Sequence, residues 1–406
     1  MSARAASKVR EDGLQALLRE GCKQMLSIRP LAAKFVVPAA VPIVTRDDVP
    51  ASIAAFPYSQ AMELVLPDSY DSNEALFEYD RLPDRFEFPQ PVVHEFDEAT
   101  IIEEAGFAVV ESGLILESVL ARRDLVDKHV IDDPRLIRKV RSAQSRTIEG
   151  QRYSTLCPML HTSSFSKWLT KELPRLQGVH HYAEETGTDP HLLLPQDPPS
   201  YVVESMPIFG FDDDQWSTWS GDRVYADQLI VPQHPCLEHP LSLYDHRLQY
   251  DLSYKAISPP ACEWVRERAL EGVDGTESTE RIYISREDAH ERRVVNEEEV
   301  MDALEPYGFE SYLLTELSFE RQIELFANAE CVVGPHGAGL SNIIFADECS
   351  VLEIFGKKVK PTYYMLANSA GLDYATLRQA IVGDDISVTV GELLEHRCIT
   401  GLDDEK

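Results

Sequence analysis

At 406 residues the chain exceeds the roughly 250–300 residues at which a single hydrophobic core stops growing, so more than one domain is expected. Its 69 acidic and 38 basic residues leave a formal charge of −31, which argues against nucleic acid as a partner, because a phosphate backbone demands a basic footprint. An apolar content of 44% sets it apart from disordered polyanions.

The basic set is 26 Arg and 12 Lys. A carboxylate-rich surface with Arg in excess of Lys fits adaptation to high salt; an acidic protein of ordinary surroundings is the alternative. The seven cysteines, Cys22, Cys157, Cys236, Cys262, Cys331, Cys349 and Cys398, include no C-x-x-C pair, so neither a disulfide framework nor a zinc knuckle is expected. No stretch reaches the ~18–20 apolar residues of a membrane span, and the expectation is a cytoplasmic protein with reduced thiols.

Residues 1–34 carry seven basic and three acidic side chains, a balance of +4, and Leu14, Leu17, Leu18, Cys22 and Met25 share a helical face. Such a helix either rests on an anionic membrane, where a lipid-linked acceptor would lie, or packs on its own domain. Residues 35–90 are rich in Pro and acid, with short strands at most. Pro91 to Leu120 alternates apolar and polar residues around Gly106 and Gly113, a meander of short strands. The first 150 residues thus form a β-rich N-terminal extension.

A middle α/β lobe with its connection follows over 151–260. The stripe Phe165, Trp168, Leu169, Leu173 and Leu176 predicts a helix from Ser164 to Ala183, interrupted at Pro174. A strand at His191–Leu194, a helix at Ser200–Ile208 and a strand at Val224–Val231 come next, and Pro232 to Pro260, with several prolines, reads as an interdomain connection.

The third region, 261–406, is the most regular. Strands at Arg281–Ser285, Phe309–Leu314, Cys331–Val333 and Val351–Phe355 alternate with helices at Asn296–Leu304, Ser318–Ala329 and Gly337–Phe345, the pattern of a parallel, doubly wound sheet. Asn296 with Glu299 spells a capping box, and Ser318 precedes a helix as an N-cap.

The sharpest motif is Gly334-Pro335-His336-Gly337-Ala338-Gly339-Leu340-Ser341-Asn342, directly after a strand. Its glycines are spaced G-x-x-G-x-G, which matches neither the dinucleotide fingerprint nor the phosphate loop of NTPases. By mechanism it is either an anion site at a helix N-terminus or a tight structural turn, and His336 is either a ligand or a turn histidine. Ser285-Arg286 and Arg292-Arg293 stand at the carboxyl end of the first strand of this region. They suit a pyrophosphate, or, with Glu291 and Glu297 nearby, a surface ion-pair network. Glu353, at a strand end, is able to accept hydrogen bonds from ribose hydroxyls or is simply solvated. Asp212-Asp213-Asp214 satisfies D-x-D, but it falls in a turn of a chain rich in acid, and no metal site is expected there.

Taken in order, Tyr283-Ile284-Ser285-Arg286, Arg292-Arg293-Val294-Val295-Asn296-Glu297-Glu298-Glu299-Val300, Glu320-Arg321-Gln322-Ile323-Glu324-Leu325-Phe326, Val333 through Phe345 and Leu352-Glu353-Ile354 resemble the nucleotide-sugar half of glycosyltransferase family 61. The meander near Pro91–Leu120 is a fainter match. The resemblance implies a GT-B-like α/β architecture of two Rossmann-like lobes. It also implies inverting transfer from a nucleotide-sugar donor to a glycan or lipid-linked glycan acceptor, with no cofactor and no metal. It assigns the donor to Ser285, Arg286, Arg292, Arg293, His336, Gly337, Ala338, Gly339, Asn342 and Glu353.

One departure bears on catalysis. The family's Asn-aromatic-Phe-His-Trp-Leu segment, followed by Leu-Pro-Arg-Leu, appears here as Ser164-Phe165-Ser166-Lys167-Trp168-Leu169 and Leu173-Pro174-Arg175-Leu176, with Lys167 where the family has His. The base that takes the acceptor proton is then Lys167, Glu172 or His161. If none serves, the chain is a nucleotide-sugar-binding subunit without catalysis.

Overall fold

The computed structural model describes residues 42–45, 49, 53–66, 85–102, 106–115, 126, 135–144, 151–160, 162, 164–221, 223–239, 254–271, 280–357 and 359–400. The basic segment 1–34 and the candidate base His161 lie outside the described residues. The chain is a mixed α/β protein with parallel sheets, and it divides into two compact units.

The first unit comprises 1–54, 95–158 and 220–231. The expected meander is here: Val92–Ile102 pairs antiparallel with Phe107–Val110, and that strand with Gly113–Ile115. Gly106 supplies the left-handed turn between the first two, at φ 71°. Ile102, Phe107, Val109 and Leu114 close over the helix Leu136–Ala143, which contributes Leu136, Val140 and Ala143. Gln151–Pro158 and Val224–Pro232 form a parallel pair; the first of these was not expected as a strand.

The second unit comprises 55–94, 159–219 and 232–406 and contains every candidate site residue that is described. Its centre is a five-stranded sheet. In chain order its elements are β1 (Glu280–Ile284), α1 (Glu297–Leu304), β2 (Phe309–Tyr312), α2 (Phe319–Ala327), β3 (Ala329–Pro335), β4 (Ser350–Phe355), α3 (Thr362–Ala370) and β5 (Asp373–Arg378). The strands run β2-β1-β3-β4-β5, all parallel. Strands covered on both faces read as continuous apolar runs, and β3 and β4 are buried along nearly their whole length. Tyr283, Val333, Leu352 and Ile354 meet Val300, Leu304 and Leu393 on one face. By the two-residue period of a strand, Ile282, Ile284, Val332 and Glu353 point to the other. The order reverses between β1 and β3, and a switch point of this kind opens a crevice at the carboxyl ends of those two strands.

Several local expectations change. Gly337–Phe345 is a 3₁₀ helix over Ala338–Phe345 rather than an α-helix. The Asn342 amide donates to the Gly339 carbonyl, the group an α-helix would offer to the Ile343 N–H, and this tightens the turn. Asn296 does not cap α1 through its side chain. Its amide instead donates to the Val388 carbonyl and accepts from the Val388 N–H, and it also reaches Glu299. Ser318 does cap α2, accepting from the Arg321 N–H at 3.2 Å.

Within Pro232–Pro260, Cys236–His239 pairs antiparallel with Tyr254–Ile257, and a helix runs from Pro259 to Glu271. The strand Trp216–Trp219, parallel to His191–Pro195, was likewise not expected. The hairpin of Met62–Val65 and Arg85–Phe88 belongs to this second unit: Leu64, Leu66, Phe86 and Phe88 pack on Phe355, Val359, Tyr364 and Met365.

The predicted helix from Ser164 is present but irregular. Phe165–Lys167 is α-helical, Trp168–Glu172 is a π turn, Leu173–Arg175 is 3₁₀ and Leu176–Thr186 is α-helical. Pro174 lacks an N–H and its ring crowds the carbonyl four residues back, which accounts for the widened turn before it.

Candidate functional site

The crevice at the switch point is lined by the turn after β3 and the loop after β1. From Cys331 to Ala346 the chain is buried except at Ala338, which is exposed, and Gly339, which is partly so. The buried stretch therefore opens at the start of the 3₁₀ helix, where the first backbone N–H groups have no partner within the helix.

Arg286 lies against this opening. A Cβ on Gly337 would overlap the Arg286 guanidinium, so glycine is required there for close approach rather than for its backbone angles, which are extended (φ −175°). Gly339 is similarly pressed: an added Cβ would stand 2.9 Å from Leu314 Cδ1. Burial, and then the neighbouring Arg292, push the Arg286 pKa down. Arg286 donates to the Glu291 carbonyl at 3.2 Å and has no ion-pair partner among the described residues.

Arg292 adopts φ 63°, a left-handed conformation costing a non-glycine residue about 1–3 kcal/mol. It is held there by its N–H to the Asp384 carbonyl (2.9 Å) and by its guanidinium to the His336 carbonyl (2.9 Å) and to Glu291 (2.9 Å). Two guanidinium groups thus crowd one half-buried turn.

Behind the turn, Glu353 is fully buried. One carboxylate oxygen accepts from His336 Nδ1 and the other from the Tyr374 hydroxyl. His336 also stacks on Phe355 and tilts against Tyr363, each at 5.4 Å between ring centres. Glu353 holds His336 and Tyr374 from a fully buried position behind the turn. A charged residue within the apolar run Val351–Phe355 needs a buried partner, and that signal was available in the sequence.

Asn342 is buried and fastens the 3₁₀ helix to α2 through Gln322 at 3.0 Å. Arg293 leaves the crevice for an exposed two-pronged pair with Asp385 (2.7 and 3.1 Å), the ion-pair alternative for this residue. Ser285 stands just past the end of β1 near Glu297, whose pKa burial raises, with the nearby Ser285 and Tyr283 hydroxyls opposing.

At an α/β switch point, then, two guanidinium groups from the loop after β1 meet the Gly337 turn. The sequence pattern of the family described as Glycosyltransferase 61 matches residues 129–352, more than half of the chain. The chain belongs to the glycosyltransferase 61 family.

Among its relatives is the mouse EGF domain-specific O-linked N-acetylglucosamine transferase, 30% identical over an alignment of 198 residues that covers 44% of this chain and 38% of the mouse protein. The Drosophila melanogaster protein of the same name is 30% identical over 164 residues, 39% of this chain and 31% of the relative. An Arabidopsis thaliana beta-1,2-xylosyltransferase is 27% identical over 138 residues, 28% of this chain and 26% of the relative. The match therefore spans little more than a third of the mouse relative. The family match reaches back well beyond the Arg281–Phe355 motifs and takes in the irregular helix at Ser164.

In this family member Lys167 ends the short helix Phe165–Lys167 and is half-buried. Its neighbour Phe165 packs edge-on to Tyr201 (5.1 Å) and contacts Phe319 (6.3 Å), which in turn meets Phe345 of the 3₁₀ helix (5.9 Å). The Lys167 segment is thereby joined to the 3₁₀ helix that follows Gly337. Glu204 strengthens the junction by accepting from the Phe319 N–H at 2.6 Å, at the positive end of α2.

Glu172 is fully buried and paired with Arg175 at 2.7 Å, and Arg175 also donates to the Pro232 carbonyl at 3.1 Å. That carboxylate is enclosed in the core. Asp212, Asp213 and Asp214 form an exposed turn, and no cluster able to hold a metal occurs among the described residues. No described helix is long and apolar enough to cross a membrane.

Proposed function

We propose that this protein transfers a sugar with inversion, and without a metal, from a nucleotide-sugar donor to a glycan or lipid-linked glycan acceptor, in a GT-B-like framework. The observation carrying this reading is the meeting of Arg286 and Arg292 at the Gly337 turn: two cations, one of them without an ion-pair partner among the described residues, at the start of a 3₁₀ helix. A diphosphate relieves their mutual repulsion. As the acceptor hydroxyl attacks the anomeric carbon, the bond to the phosphate oxygen breaks and charge develops on the leaving diphosphate. Half-buried guanidinium groups stabilise that charge more strongly than water does. His336, whose Nδ1 is held by Glu353, belongs to the same turn.

Lys167 is the proposed base, since Glu172 is sealed against Arg175. An ordinary lysine, with a pKa near ~10.4, is protonated and accepts nothing, so this role requires its charge to be suppressed in the complex. The substitution of Lys for His also favours a second reading, a donor-binding subunit without catalysis.

The relatives' names suggest N-acetylglucosamine and xylose as first donors. Nucleotide sugars carrying each, incubated with alkyl glycoside acceptors, separate the readings by NMR. Transfer with a reversed anomeric configuration supports the enzyme. Binding without consumption supports the subunit, and absence of both binding and consumption overturns the donor site.

A further inference from the structure

We infer that Asp385 is a positioning residue: by gripping Arg293 it holds Arg292 in the left-handed conformation that brings a second guanidinium to the Gly337 turn. The inference rests on the donor-site reading above and extends it to the hairpin that carries Asp385.

This hairpin pairs Ala380–Val382 antiparallel with Asp385–Ser387. The chain enters it at Gln379, whose N–H donates to the Phe355 carbonyl at the end of β4. Its loop is two residues long, Gly383-Asp384, and Gly383 supplies the positive φ, 69°, that so tight a connection needs. The hairpin then binds the segment 292–295, just ahead of α1. The Arg292 N–H donates to the Asp384 carbonyl at 2.9 Å, the Ile386 N–H to the Arg293 carbonyl at 2.8 Å and the Val295 N–H to the Ile386 carbonyl at 2.9 Å. Asp385 adds three bonds, all to Arg293. Its Oδ1 accepts from the main-chain N–H at 3.0 Å, and its Oδ2 accepts from Nε at 3.1 Å and Nη2 at 2.7 Å.

Two adjacent arginines are thereby sent in opposite directions. With Arg293 turned to Asp385, Arg292 stands at φ 63° and its guanidinium reaches the His336 carbonyl at 2.9 Å. A non-glycine residue keeps such a conformation only where its surroundings impose it, and the hairpin is what imposes it here. The hydrogen bonds from Arg293 also hold the Asp385 carboxyl below its ordinary range, so the grip persists at neutral pH. Both carboxylate oxygens are engaged by Arg293, so Asp385 acts through the arginines and not on a phosphate. Without it, Arg292 relaxes toward negative φ and carries its guanidinium away from the turn.

The test is a double-mutant cycle by calorimetry on the full chain, with uridine, guanosine and cytidine diphosphates as probes and the tightest binder carried through the series. Asp385→Ala weakens that diphosphate by about fivefold or more, although it removes no group from the turn, and adds less than about twofold on top of Arg292→Ala. A residue that only stabilises the fold weakens binding alike in both backgrounds, so losses that multiply overturn the inference. Unchanged or tighter binding by a folded Asp385→Ala protein overturns it too, the tighter case meaning that a freed Arg293 joins the site. If Asp385→Ala does not fold, Asp385→Asn, which keeps an acceptor for the Arg293 N–H but loses the ion pair, takes its place in the same cycle under the same criteria. If Arg292→Ala alone leaves affinity unchanged, Asp385 has nothing to act through and the inference fails. If no diphosphate binds the wild type, the donor-site reading fails first and the positioning role fails with it.

Discussion

Removal of the Arg286 guanidinium has consequences of different kinds for stability and for binding. In the free protein the group is partly buried and stands beside Arg292, and both conditions disfavour its charge. Its single hydrogen bond, 3.2 Å to the Glu291 carbonyl, is long, so Arg286→Ala is expected to change unfolding free energy by less than about 1 kcal/mol, or to stabilise slightly. In the complex, the same residue supplies at least one charge-assisted bond to the diphosphate, worth about 1.5–3 kcal/mol, so affinity falls roughly 10- to 150-fold. Gly337→Ala is a second approach to the same contact. Its backbone, at φ −175° and ψ 166°, is open to alanine without strain, but the new methyl displaces the guanidinium. Calorimetry with a nucleoside diphosphate, paired with thermal melts, reads both quantities. Unchanged affinity in a folded Arg286→Ala protein refutes the assignment. So does a large loss of stability with affinity intact, which would make the arginine a structural group.

Three further outcomes are expected. Lys167→Met lowers turnover by ~10²–10⁴-fold at saturating donor with little loss of stability, whereas Glu172→Gln costs about 3–5 kcal/mol of stability by stranding Arg175. The reverse pattern, by steady-state kinetics and denaturant unfolding, would exchange their roles. Glu297, whose pKa is raised by burial, binds its proton more tightly folded than unfolded. Its contribution is therefore fully present below the unfolded carboxylate pKa and is lost as pH rises through the folded one. Glu297→Gln should accordingly gain stability relative to wild type between mildly acidic and neutral pH, and melting curves with the opposite trend would contradict this. Finally, self-repulsion at a charge of −31 predicts a melting temperature that climbs from low to molar KCl; a flat profile counts against high-salt adaptation.

The five-stranded sheet was legible because parallel strands covered on both faces leave unmistakable runs such as Val351–Phe355, and because Ser318 is a strong helix start. The helix Pro259–Glu271 is hidden in the sequence because Pro259 and Pro260 read as breakers, although proline is favoured in the first turn of a helix. The hairpin of Met62–Val65 and Arg85–Phe88 lies in a Pro- and acid-rich stretch with little periodicity, and its partners Phe355 and Met365 lie far along the chain, where periodicity says nothing of pairing.

At the site, the residue types were readable and their partners were not. Arg286 and Arg293 looked equivalent; only the fold sends one to Gly337 and the other to Asp385. Glu353 at a strand end suggested a ribose contact, whereas the register sets Gly334 opposite it and brings His336 and Tyr374 onto its two oxygens.

The most direct test of the donor site is a crystal structure of the full chain soaked with the nucleoside diphosphate that binds most tightly. The account predicts the phosphates at the opening of the Gly337 turn, within hydrogen-bond reach of the Arg286 guanidinium and of the Ala338 and Gly339 N–H groups. Phosphates bound elsewhere in a well-occupied complex, or held by a cation at Asp212–Asp214, would contradict it.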